Sequence, residues 1–107
     1  MTSMENILRG LEHTIRSHKG GNASTSYIAK RFAKGRAKIA QKIGEEGVEL
    51  ALALVLNDTT EIIKESADLL FHMMIGLEDA ELSLDDVIAE LQRREGMSGL
   101  EEKRNRL

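Results

Sequence analysis

No proline interrupts the 107 residues, so no fixed ring and no missing amide donor forces a helix to stop. Leu, Ile, Ala, Glu, Lys and Arg dominate, and most of these are good helix formers. One Tyr, two Phe and no Trp leave little that favours strands. Long, unbroken helices are the default for such a chain. Its length is that of one domain. A domain of this size has much surface for its core, and self-association would enlarge the buried area.

Apolar periodicity places the helices. Ile7, Leu8, Leu11 and Ile15 share one side of a first helix from Met4 to Ser17. His18 to Ala23 is a loop, broken by Gly20-Gly21. Ser24, Thr25 or Ser26 caps a second helix running from about Tyr27 to Leu56. Gly35, Gly44 and Gly47 interrupt it, each at roughly 1 kcal/mol relative to Ala, and a bend near Gly35 is allowed. A glycine so placed can serve close approach of another helix or of a ligand. Asn57 to Thr60 is a tight connection, and Asp58 with Glu61 has the form of a capping box that opens a third helix to about Glu78. After a turn over Asp79 to Leu82, Ser83-Leu84-Asp85-Asp86 caps a fourth helix through Arg94, which Gly96 ends. Two long helices on a short link lie antiparallel. The expected fold is all-α, an antiparallel helical hairpin or bundle over residues 1–94 completed by oligomerisation. Residues 95–107 form a charged tail whose Lys103, Arg104 and Arg106 are either solvated or ordered on substrate.

Composition excludes several functions. Without cysteine there is no disulfide, zinc-thiolate site or thiol nucleophile. No signal-peptide core and no apolar run long enough to cross a bilayer is present, so a cytoplasmic location with no membrane partner is the default expectation. A formal charge of −3 does not suggest nucleic-acid binding. The charge is nonetheless unevenly placed. Lys30, Arg31, Lys34, Arg36, Lys38 and Lys42 precede Glu45, Glu46 and Glu49 with no acid among them. Anion contacts beside cation ligands are what a metal–polyphosphate substrate needs.

On a helical wheel with Glu45 at zero, Lys38, Glu49, Lys42 and Glu46 fall near ~20°, ~40°, ~60° and ~100°. All share one stripe, beside an apolar stripe of Ile39, Ile43, Leu50 and Leu54. Carboxylates this close repel, and the wholly apolar segment Leu50 to Leu56 that follows reads as buried. The third helix repeats the logic. Glu61, Glu65, Asp68 and His72 line one polar stripe on an otherwise apolar helix, which should be buried nearly all round. Its acids must then be paired or hold a cation. Two facing acidic stripes make an all-oxygen site suited to magnesium or manganese. Such an ion acidifies water and polarises phosphoryl oxygens, with basic side chains one turn away to hold phosphate charge. Phosphoanhydride hydrolysis is the chemistry this predicts.

Gly44-Glu45-Glu46-Gly47-Val48-Glu49 with Glu65-Ser66-Ala67-Asp68 resembles the E-E-x-x-E … E-x-x-D signature of the all-α nucleoside-triphosphate pyrophosphohydrolases, the MazG-like superfamily. The longer string from Lys38 to Glu49, Glu65 to His72, Ser83 to Val87 and Ser24 to Tyr27 resembles the phosphoribosyl-ATP pyrophosphohydrolase branch in particular. The resemblance covers nearly the whole chain. It implies cleavage of the α–β phosphoanhydride of phosphoribosyl-ATP to phosphoribosyl-AMP and pyrophosphate, the second step of histidine biosynthesis. It also implies magnesium dependence, a homodimer or higher assembly, and a form without the cyclohydrolase to which many members are fused. Residue by residue, Glu46, Glu49, Glu65 and Asp68 are the expected metal ligands. Glu45 orients or deprotonates the attacking water, or serves a second ion. Lys38 and Lys42 contact phosphates, and Arg31, Lys34 and Arg36 serve the ribose-phosphate end.

Plainer roles compete at some positions. Glu61 suits the helix dipole. His72 reads as a hydrogen-bonded core histidine, His13 and His18 as surface residues, and Met73 and Met74 as core filler. Lys42 can pair with Glu45 or Glu46 one turn on. Gly20-Gly21 is no phosphate loop, since no G-x-x-x-x-G-K-[ST] occurs. Two rival functions remain: a pyrophosphohydrolase of free (deoxy)nucleoside triphosphates, with the same acids, and a non-enzymatic helical interaction module. The complete acid set argues against the second.

Overall fold

The computed structural model describes residues 3–96 together with 99, 103 and 104. In chain order it forms α1 (Met4–His18), α2 (Tyr27–Ala33), α3 (Arg36–Leu56), α4 (Thr59–Asp79) and α5 (Leu84–Arg94). No strand occurs among the described residues, in line with the all-α expectation. Short polar side chains begin the helices by taking amide donors that have no partner within the helix. Ser3 accepts from the amide of Asn6 at 3.1 Å, and Asp58 from that of Glu61 at 3.2 Å. Of the three candidate caps before Tyr27, Ser26 is used, accepting from the amide of Ala29 at 3.1 Å. Asp86 reaches back to the amide of Ser83 at 2.9 Å.

The expected single helix over 27–56 is two helices. Gly35 sits at φ 90° and ψ 169°, a backbone region essentially reserved for glycine. Its amide closes α2 on the carbonyl of Phe32 at 3.0 Å, and its carbonyl opens α3 by accepting from Ile39 at 3.1 Å. The bend foreseen there is a full break, and it lets the short α2 pack on both α3 and α4.

α3 and α4 form the antiparallel hairpin. Their close approach is at Gly76, where a Cβ would stand 3.1 Å from Cδ1 of Ile43 and 3.6 Å from Cγ2 of Ile39. Among the described residues, nothing beyond the local helix backbone stands within 4 Å of a Cβ at Gly44 or Gly47. The core gathers Ile15 of α1, Ile39 of α3, and Met74 and Ile75 of α4. Arg16 pairs with Glu78 at 3.2 Å and Arg9 with Asp85 at 2.8 Å, tying α1 to α4 and α5. These exposed pairs fix orientation more than they add stability.

Burial departs from expectation at the other end of the hairpin. Within Leu50 to Leu56 only Ala53 is buried and Leu50 half-buried; Val55 is 82% and Leu56 77% exposed, as is Ile63 on α4 at 67%. Met74 is core as expected, but Met73 is exposed. The reason is geometric. The core residues of α1 and α2 sit around the Ile39 and Ile75 end of the hairpin, so the outer faces of the half nearest Asn57 stay exposed. None of the helices searched is long and apolar enough to cross a membrane. Lys103 and Arg104 are exposed, while Arg106 and most of the tail lie outside the described residues.

Gly35→Ala keeps the sequence helical but places a Cβ in a strained conformation. It should lower unfolding free energy by about 1–3 kcal/mol, measured as a lower midpoint in urea at unchanged slope. A midpoint equal to the parent's would show that the α2–α3 break does not require glycine.

Candidate metal and phosphate site

The antiparallel register that sets Gly76 against Ile39 and Ile43 brings Glu65 of α4 alongside Glu46 and Glu49 of α3. One carboxylate oxygen from each of the three lies within 4.8 Å of the others. Glu46 and Glu65 are buried, at 4% and 8% exposure, and Glu49 is exposed. Oε2 of Glu46 and Oε2 of Glu65 are both buried without a hydrogen-bond partner. Such orphaned acceptors are costly unless a proton or a cation meets them. Three oxygen donors of this kind fit a hard divalent ion, so the residues present match the metal that the sequence implies.

One expected ligand, Asp68, and the expected water-orienting Glu45 stand outside this set. Asp68 is half-buried, and its carboxylate does not join the three; its main-chain carbonyl accepts from Nδ1 of His72 at 2.8 Å. Glu45 is exposed and accepts from Nε2 of Gln41 at 2.8 Å.

Electrostatics share the load unevenly. Burial is the largest effect on the Glu46 carboxyl and works to raise it, but the hydrogen bond from Lys42, the contact with Glu65 and the nearby positive charge together outweigh it and hold Glu46 below the usual carboxylate range. Their ion pair is 3.0 Å long, and Glu46 in turn raises the Lys42 ammonium. Glu65 has no such cation. Burial, then the adjoining carboxylates of Glu46 and Glu49, push it up to about 7. Without a metal, the cluster therefore tends to take up a proton at Glu65 near neutrality.

Beside the acids, Arg31, Lys34, Lys38, Gln41, Lys42 and Glu45 line a cleft of 430 Å³. Lys38 donates to Oε1 of Gln41 at 3.3 Å. Gln41 thus links a cation of the cleft to Glu45. Arg31 donates through Nη2 to the carbonyl of Lys38 at 3.4 Å, and its buried Nε has no partner. Arg36, expected with these, lies elsewhere: it holds the Asp79 side chain through Nε and the Asp79 carbonyl through Nη2. It therefore anchors the end of α4 rather than the cleft.

His72 is buried and fully hydrogen-bonded, as expected for a core histidine. Its second partner, the hydroxyl of Tyr27 at 3.0 Å from Nε2, was not marked by the sequence. Forty-five residues separate the two, and nothing local in either helix signals the pairing.

A family model described as phosphoribosyl-ATP pyrophosphohydrolase matches residues 8–95. The chain belongs to that family. A phosphoribosyl-ATP pyrophosphatase of Novosphingobium aromaticivorans is 50% identical over 100 residues, 94% of each chain. Another, of Rhizorhabdus wittichii, is 51% identical over 100 residues, again 94% of each. A histidine biosynthesis bifunctional protein of Pasteurella multocida is 51% identical over 88 residues, which make up 82% of this chain and 44% of that one. The matched stretch contains every acid and base of the site, and the chain is an enzyme of this type rather than a helical interaction module.

The raised Glu65 carboxyl has a sign that can be tested. Between the ordinary value of 4.5 and about 7 the native protein holds a proton that the unfolded chain releases, so stability falls as pH rises through that window. In EDTA the melting temperature should drop from pH 5.5 to pH 8, and Glu65→Gln should flatten this drop. Magnesium should raise the melting temperature more at pH 8, where no proton competes. Equal slopes for the parent and Glu65→Gln would contradict the assignment.

Proposed function

We propose that the chain hydrolyses the α–β phosphoanhydride of phosphoribosyl-ATP, releasing phosphoribosyl-AMP and pyrophosphate in histidine biosynthesis. One observation carries the residue assignment: two buried, unpartnered carboxylate oxygens within a set of three acids that adjoins a cleft with four cationic side chains. Family membership supports the substrate.

Glu46, Glu49 and Glu65 would hold magnesium, with manganese as a substitute. Asp68, three residues beyond Glu65 on the same helical face, is the fourth carboxylate proposed for the shell. When bound, magnesium supplies electrophilic polarisation of the phosphoryl oxygens and lowers the pKa of water. The chain's own groups do the rest. Glu45, on the cleft wall and braced by Gln41, orients the attacking water and takes its proton. Lys38 and Lys42 neutralise the phosphates on either side of the broken bond. Lys42 already leans on Glu46, so it connects the acid set to the anion cleft. Arg31 and Lys34 receive the phosphate on the ribose. Arg36 has no part in this reading, because Asp79 occupies it.

A second copy of the chain completes the bare half of the hairpin. Val48, Leu52, Val55, Leu56 and Ile63 are each more than half exposed, on the helices that carry the metal acids. Covering them would also dry the site and strengthen its electrostatics.

Pyrophosphate release with magnesium should be fastest from phosphoribosyl-ATP and much slower from ATP and deoxynucleotides; preference for deoxynucleotides would replace the substrate while keeping the acids. Glu49→Gln and Asp68→Asn should retain the parental circular dichroism spectrum and lose activity by at least the ~100-fold that ends the usual range for outer-shell partners. Parental turnover in either removes that residue from the ligand set. In sedimentation, the parent should run as a dimer or larger, and Leu52→Asp should shift it toward the monomer. A parent that is monomeric at micromolar concentration refutes the assembly.

A further inference from the structure

The aromatic side chain at the start of α2 joins the two halves of the site. Tyr27 is half-exposed, yet three of its features are engaged. Its hydroxyl meets Nε2 of His72 at 3.0 Å. Nδ1 of that imidazole lies 2.8 Å from the carbonyl of Asp68, and a carbonyl only accepts. Nδ1 therefore carries a proton, and in the neutral ring Nε2 presents a lone pair to the tyrosine O–H. Its ring is flanked by Phe71, with centroids 6.2 Å apart. The guanidinium of Arg31 lies 5.9 Å from the ring centroid, within cation–π range.

Arg31 is otherwise lightly held. Its contact with the Lys38 carbonyl is long, at 3.4 Å, and its buried Nε has no partner. It also lines the cationic cleft. A guanidinium with a free N–H in a basic cleft suits a phosphate oxygen, but only if the planar fork is held at the right angle. The tyrosine ring is the aromatic surface beside it.

We propose that Tyr27 is a positioning residue for substrate recognition: anchored to α4 through His72, its ring orients Arg31 toward the phosphate monoester on the ribose of the substrate. This rests on the reading above that Arg31 receives that phosphate. The chain from Asp68 through His72 and Tyr27 to Arg31 makes the metal-bearing helix set the geometry of the phosphate end. Tyr27 touches no reacting atom, so its loss weakens binding and leaves the chemical step intact.

The test is a double-mutant cycle on pyrophosphate release from phosphoribosyl-ATP with saturating magnesium. Arg31→Ala should raise KM by about 10-fold or more, as expected for a lost charge-assisted hydrogen bond. Tyr27→Leu should raise KM about 10-fold with kcat within about 2-fold of the parent. Tyr27→Phe, which keeps the ring and removes only the hydroxyl, should give a smaller rise. The decisive result is non-additivity: in the Arg31→Ala background neither Tyr27 substitution should raise KM further. Additive effects, or a fall in kcat at unchanged KM, would overturn the positioning role while leaving the phosphate contact standing. An unchanged KM in Arg31→Ala would overturn the phosphate contact and the proposal with it.

Discussion

The structure depends on keeping three carboxylates together where they repel. Glu46, Glu49 and Glu65 come from two helices, and among the described residues Lys42 is the cation that forms an ion pair with them. The helices stay paired because the close approach at Gly76 against Ile39 and Ile43, with Met74 and Ile75 in the core, fixes the register. Apolar packing at one end of the hairpin thus sustains an electrostatically unfavourable arrangement further along it. Unfavourable local electrostatics of this kind are common where a site must bind charge. In the metal-free protein the strain is relieved partly by Lys42 and partly by a proton on Glu65.

The molecule is correspondingly asymmetric. One half of the hairpin is wrapped by α1 and α2, and the other half exposes aliphatic side chains to solvent. The acids sit between the two. The break at Gly35 completes the design of the site, because it folds α2 back over α3 and α4 and brings Tyr27 and Arg31 beside the cleft. A continuous helix over 27–56 would have carried those residues away from the metal acids.

Much of this was legible in the sequence, and what was not has definite causes. Helical periodicity, with capping signals at Ser24 to Ser26, Asp58 and Ser83, places nearly every boundary, since those signals are local. The acid set was legible because spacings of three and four put Glu46, Glu49 and Glu65 on facing stripes. The break at Gly35 was only half visible: a glycine permits a positive φ but does not announce one. Proximity in sequence points Arg36 toward the cleft, yet the turn at Gly35 sends it to Asp79, 43 residues away. The Tyr27–His72 bond is invisible for the same reason. The apolar run after Glu49 reads as buried in the sequence because periodicity reports that a face wants cover, not which molecule supplies it.

All of this chemistry rests on a divalent ion held by the facing acids of α3 and α4, as proposed. Anomalous diffraction from crystals grown with manganese, collected at the manganese edge, tests it most directly. A peak is expected at coordination distance from the carboxylates of Glu46, Glu49 and Glu65. Manganese bound elsewhere, with these three carboxylates left uncoordinated, would contradict it.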